Sequence, residues 1–258
     1  MSRKHNKFRP PTVETPKGEW DAVVEKVKPL IPKDNVNHVQ FESGHSTEHV
    51  SALSLRTKQI AIGVPLDELM FSQFFVNFEL LDKMPWDSMI TTTSTYLPDA
   101  RNKIHNFFLE RDKGNHLLML DSDVLPPPHL IERLLAHNKD CVGGWYKKKE
   151  KFHANINGED RIIQRPVVYK QAGIMDGIIQ YVQLWEPHEG LEEVAAAGAG
   201  CWLMSRKLAE ALGTSPYDMG AKGNDGEDMQ ICRKITAAGF PMFVDWSIAC
   251  AHIGTFFV

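Results

Sequence analysis

An α/β fold with a mostly parallel sheet flanked by helices is what three features of this 258-residue sequence predict. Short apolar runs alternate with stretches of helical apolar spacing from residue 58 onward, as strand-helix-strand units require. One run, Leu117 to Leu120, is apolar at every position, the pattern of a strand covered on both faces. It ends in Asp121-Ser-Asp123 and then Pro126-Pro-Pro128, so carboxylates stand at the carboxyl end of a sheet strand, where ligands of open α/β sheets bind.

The elements follow in order. Residues 1–57 are polar and carry prolines at 10, 11, 16, 29 and 32, with helical spacing only from Glu19 to Val27. They are expected to form a partly ordered N-terminal arm ahead of one domain, 58–258. The arm's basic start, Arg3 to Arg9, reads either as a solvated end or as a phosphate contact. Lys58 to Pro65 is a strand stopped by proline, and Leu66 to Lys83 has helical spacing. Met89 to Ser94 is β-branched and strand-like. Pro98 to Leu109 opens with proline in the first turn and puts Ala100, Ile104, Phe107 and Phe108 on one face. Right-handed crossovers would lay these strands parallel to Leu117–Leu120.

Beyond it, Pro126 to His137 is amphipathic and Cys141 to Tyr146 is the next strand. Residues 152–190 are less regular and look like an insertion on the acceptor side, with a hairpin between Val167–Lys170 and Ile178–Val182. Small residues from Ala195 to Gly200 lead into the apolar run at Cys201. Arg206 to Leu212 is a helix ended by Gly213, and another runs from Glu227 to Gly239. Phe240 to Trp246 is the last strand.

Composition sets limits. At 43% hydrophobic residues the chain can bury one large core. A net charge of −4 and a pI near 6.3 give no global attraction for a polyanion, so any nucleic-acid contact has to come from a local patch. The four cysteines are far apart without a C-x-x-C pair, which points to buried thiols rather than a disulfide framework. No secretory signal opens the chain, and no window reaches the roughly 18 apolar residues of a membrane span. A soluble cytoplasmic protein is the expectation.

Two constellations carry chemistry. In a strand Asp121 and Asp123 would point the same way and Ser122 the other, giving hard oxygen ligands for Mg²⁺ or Mn²⁺; the same tripeptide also serves to cap turns. Asp225, Glu227 and Asp228 crowd a helix start, where acids also cap and compensate the helix dipole. Trp145 leads into Lys147-Lys-Lys149, a run that reads as a solvated face or as a phosphate contact.

Taken in order, Ile60-Ala-Ile-Gly-Val-Pro65, Asp99-Ala-Arg-Asn102, Asp121-Ser-Asp123, Gly198-Ala-Gly-Cys201, Gly226-Glu-Asp228 and Ala251-His-Ile-Gly254 resemble the GT-A glycosyltransferases. Within them the chain is similar to compact family-2-like enzymes often met in phage genomes. The resemblance covers residues 58–254 and lacks the Gln-x-x-Arg-Trp signature of processive synthases. It implies a nucleotide-sugar donor, with UDP as the expected nucleotide, lying against Val64 and Pro65 and near Arg101. Ser122, Gly198, Gly200 and Trp202 would complete the donor site. Asp123 and His252 would bind Mn²⁺ (or Mg²⁺), and Asp121 the ribose or the metal. Asp228, with Glu227 as the alternative, would be the base of an inverting transfer. The acceptor hydroxyl would belong to hydroxymethylated DNA or to a glycan, protein or small molecule, with Trp145, Lys147, Lys148 and Lys149 on its side. A nucleotidyltransferase would carry a glycine-rich loop after the first strand, where Val64-Pro-Leu-Asp-Glu68 has none. A sugar-nucleotide-binding protein without activity would be expected to lack the base or the metal ligands.

Overall fold

The computed structural model describes residues 58–254 apart from 67–69, 95, 157–158, 176 and 221–225. The arm at 1–57 and Asp225 lie outside the described residues. Seven strands make the central sheet: β1 (Ile60–Leu66), β2 (Ser88–Thr93), β3 (His116–Leu120), β5 (Cys141–Trp145), β10 (Leu191–Val194), β12 (Cys201–Ser205) and β13 (Met242–Ala249). Their order is β10-β13-β5-β12-β3-β1-β2. β2, β1 and β3 are parallel neighbours, and so are β5 and β13. β12 runs antiparallel between β3 and β5, and β10 is antiparallel at the edge, so the other five strands point the same way.

Both faces of this sheet are covered, which is why its inner strands are apolar throughout. Helices α2 (Leu97–Glu110), α4 (Arg206–Leu212) and α5 (Glu227–Ala237) bury Ile104, Phe108, Leu208, Ile231 and Ile235 on one face, against Ala61, Leu117, Met119, Trp202 and Met204. On the other face α1 (Ser72–Glu79) and α3 (Leu130–Ala136) bury Phe74, Phe78, Leu130 and Leu134 against Ile60, Ile62, Leu118, Leu120 and Leu203. Successive residues of β3 thus serve opposite layers. Truncating Leu118, which is wholly buried, to alanine would cost about 2–5 kcal/mol.

Smaller elements finish the domain. β4 (Val124–Leu125) pairs with β14 (Ala251–His252), and β6 (Phe152–Ile156) pairs with β7 (Glu159–Ile163). β8 (Val168–Met175) and β9 (Ile178–Gln183) form the expected antiparallel hairpin, extended by β11 (Ala196–Ala197). All four cysteines are buried and unbridged. No helix among the described residues is long and apolar enough to cross a membrane.

One local expectation is corrected. β3 stops at Leu120, and Asp121-Ser122-Asp123 is a turn closed by Val124 N donating to Asp121 O at 3.0 Å. The strand alternation that would aim both carboxylates at one point therefore does not apply. Each takes different partners.

Candidate active site

Arg101 is the centre of the first cluster. It lies on the buried face of α2 with Ala100, Ile104, His105 and Phe108, and is only 1% exposed. A buried guanidinium needs acceptors. Nη2 donates to both carboxylate oxygens of Asp121 at 2.8 Å, while Nη1 donates to Asp228 Oδ1 at 3.0 Å and to Glu227. The first turn of α5 thus turns its acids toward a residue 126 and 127 positions away, and its N-cap, Gly226, makes no side-chain cap. Capping does not account for where Glu227 and Asp228 point.

Asp228 is pushed up to about 7, chiefly by burial and then by the neighbouring charges of Glu227 and Asp121, against the opposing pull of Arg101. Its side chain still keeps 26% of its surface open, so it is hemmed in yet reachable from solvent. A carboxylate with a pKa near 7 is matched to taking a proton at neutral pH.

Asp123 belongs to a second corner. β14 pairs with β4 so that His252 lies opposite Val124, and Ile253 N donates to Asp123 O at 2.8 Å. His252 Nδ1 donates to Lys147 O at 2.8 Å, and Nε2, the ring's other nitrogen, stands 3.4 Å from Asp123 Oδ2. Two donors at right angles around one octahedral ion, each about 2.1 Å from it, stand about 3 Å apart, so this pair fits a divalent cation. Asp121 is turned to Arg101 instead, and no group of three or more such ligands occurs among the described residues. Hydrogen bonds from His252 and Lys149 outweigh burial and hold Asp123 down at about 2, so it is ionised.

Between the two corners opens a cavity of about 210 Å³ lined by Pro65, Leu66, Ser94, Leu97, Asp121, Ser122 and Asp123. It lies at the carboxyl ends of β1, β2 and β3, the edge expected from the sequence. Of the expected donor residues, Pro65, Asp121 and Ser122 line it. Val64 is fully buried beside it, and Trp202 lies in the core at 3% exposure, because β12 is a central strand. Gly198 and Gly200 have a packing reason. A β-carbon on Gly198 would collide with the Tyr146 ring, and one on Gly200 would stand 2.7 Å from Asp121 Oδ2.

Tyr146 is a site residue that the sequence reading missed. Its hydroxyl accepts from Gly200 N at 3.1 Å, and its ring stands edge-on to His252 at 5.0 Å, so it joins the two corners. Its signal was its place at the end of an apolar strand, beside the lysines. Ser94 and Leu97 were missed because they flank the turn from β2 into α2, where no motif marks them. Trp145, Lys147, Lys151, Arg161 and Trp185 help line a separate groove of about 710 Å³. Lys148 pairs with Glu150 and Lys149 with Asp123.

No family model matches the chain, and none of the curated proteins does. Solved structures do. A197 from STIV is similar over 76% of this chain and 85% of its own, with a TM-score of 0.51 and 16% identity. GalNAc-T7, solved with UDP, GalNAc and Mn²⁺, is similar over 76% of this chain but 43% of its own, with a TM-score of 0.51 and 11% identity. The fold is GT-A. In GT-A terms, the Asp121–Asp123 turn follows a central strand, and the acids of α5 reach the same edge through Arg101.

Proposed function

We propose that residues 58–258 form a divalent-metal-dependent glycosyltransferase that moves a sugar from a nucleotide-sugar donor, a UDP-sugar as the leading case, to an acceptor hydroxyl with inversion. The observation that carries this reading is the junction of one cavity with two differently equipped corners. One is the Asp123–His252 pair, which fits a cation. The other is Asp228, with its pKa near neutrality, which shares Arg101 with the cavity-lining Asp121.

The residues divide the work. Pro65 and Leu66 offer an apolar wall to the base, with Ser94 and Ser122 as polar contacts. Asp123 and His252 would hold the ion, which, when bound, neutralises charge growing on the departing diphosphate. Mn²⁺ suits an imidazole ligand better than Mg²⁺ does. Asp121, fixed by Arg101 and lining the cavity, would take the ribose. The acceptor oxygen forms a bond to the anomeric carbon as the carbon–oxygen bond to the diphosphate breaks. Asp228 takes the acceptor's proton. Arg101 is a positioning residue, since it touches the acids rather than the reacting atoms. The acceptor side falls to the Trp145–Lys147 groove, with hydroxymethylated DNA as the leading acceptor.

Similarity to GalNAc-T7 solved with UDP and Mn²⁺ supports the donor and metal classes. Calorimetry of UDP with Mn²⁺ tests them: Asp123→Ala and His252→Ala are expected to weaken metal-dependent UDP binding while melting normally. Unchanged binding in both variants removes this corner from the site. A donor screen that follows nucleoside diphosphate release with Mn²⁺, with and without acceptors, tests transfer itself.

A further inference from the structure

Asp123 already has a cation. Lys149 Nζ lies 2.5 Å from Asp123 Oδ2, the same oxygen that stands 3.4 Å from His252 Nε2. An ammonium therefore sits on the carboxylate oxygen that the imidazole faces.

The lysine is held in place for this. It leaves β5 on a segment whose backbone is fixed on both sides. Lys147 O accepts from His252, Lys148 N donates to Arg165 O at 2.9 Å, and Lys149 O accepts from Gln164 Nε2 at 3.1 Å. Its stem passes over Gly254, with Cδ and Cε 3.8 Å from where a β-carbon would stand. The turn after His252 thus leaves the side chain a path to Asp123.

We propose that Lys149 is a resident counter-cation, which holds Asp123 in the ion-free protein and leaves that carboxylate when a divalent ion enters. The inference rests on Asp123 and His252 being the metal ligands. An ammonium at hydrogen-bond distance and a divalent ion coordinated to one oxygen would bring like charges together, so the two cations exclude each other. The exchange is within easy reach, because the Lys149 and Asp123 side chains keep 48% and 26% of their surfaces open and such pairs are weak. Once displaced, the ammonium is at the mouth lined by Ser122 and Asp123, where a nucleoside diphosphate offers it a new anionic partner. Ion and nucleotide then favour each other's entry, since the lysine given up by one is taken by the other.

The test is an electron paramagnetic resonance titration of Mn²⁺ alone, and of Mn²⁺ with UDP, into the wild type, Lys149→Met, Lys149→Arg, Asp123→Asn and His252→Ala. Lys149→Met is expected to bind Mn²⁺ alone about three- to fivefold more tightly than the wild type, as loss of a weak competing pair predicts. It should also gain less from UDP. Lys149→Arg is expected to stay near the wild type, and Asp123→Asn to lose the binding. Loss in Asp123→Asn with unchanged or weaker binding in Lys149→Met overturns the counter-cation and leaves the ligands standing. Equal binding in the wild type, Asp123→Asn and His252→Ala overturns the metal site, and the proposal with it. Lys149 is half exposed, so melting curves serve to confirm that every variant folds.

Discussion

Arg101 and Asp121 are joined by one nitrogen: Nη2 donates to both carboxylate oxygens at 2.8 Å, which leaves Nη1 for Asp228 and Glu227. A single buried cation thereby ties the turn after β3 to the start of α5. Three acids meet one guanidinium, so among the described residues the carboxyls of this cluster outnumber the cation that holds them.

Arg101→Met is expected to destabilise the fold by about 3–5 kcal/mol at neutral pH, because removing one partner leaves uncompensated buried charge. Low pH should shrink the loss, since protonated carboxyls no longer repel one another. Urea midpoints of both proteins across acidic and neutral pH check this. A deficit independent of pH would make Arg101 a packing residue only.

His105 gives a second pH signature, one helical turn along α2 from Arg101. Its Nε2 donates to Gly213 O at 3.0 Å inside the α2–α4 layer, and burial pushes the imidazole down to about 4. In unfolded chains its pKa is about 6.5. Between those values the unfolded state binds a proton that the folded state refuses, so stability rises with pH through the window, by about 3 kcal/mol in all. His105→Gln can keep a donor toward Gly213 and is expected to flatten that rise. The same rise in the variant would assign it to other groups.

The groove makes the proposed acceptor side testable. Lys147 lines it with Trp145, Lys151, Arg161 and Trp185, a mix of cations and flat rings suited to a nucleic-acid strand. Oligonucleotide affinity should fall steeply with salt, and charge removal at Lys147 should reduce the slope by about one. Lys148 should matter less, because Glu150 lies 2.6 Å from its ammonium. An unaltered slope in Lys147→Met, or no binding at low salt, returns the run to a solvated face.

The sheet and the edge that carries the cavity were legible because their signals are local. The unbroken apolar run at 117–120 reports cover on two faces, and Gly213 and Gly239 end α4 and α5 where expected. Arg101 could be placed near the nucleotide by resemblance, but not at the junction of three acids, since those contacts span 20 to 127 residues of sequence. The aspartate pair misled for a physical reason. Alternation is a property of extended backbone, and β3 ends one residue before Asp121. Tyr146 and the Lys149–Asp123 pair were hidden similarly, because the approach of β14 to β4 depends on a two-residue pairing with no pattern of its own.

Asp228 and Glu227 are adjacent, share Arg101, and differ in what they are expected to do. Burial and neighbouring acids raise Asp228 to about 7, so a rate that needs its carboxylate form should climb as pH passes upward through neutrality. Asp228→Asn keeps the size and an acceptor oxygen for Arg101 but cannot take a proton. Its turnover should fall by about two to four powers of ten, with that rising limb gone and nucleotide binding retained. Glu227→Gln is expected to keep most of the rate and to move the limb to lower pH, because it removes a charge that raises Asp228 without removing the base. If both acids only brace the guanidinium, the two variants should lose similar stability and keep similar turnover per folded molecule. Transfer rates across pH, with melting temperatures for both proteins, separate these outcomes. A fully active Asp228→Asn would remove both the base and the inverting chemistry built on it.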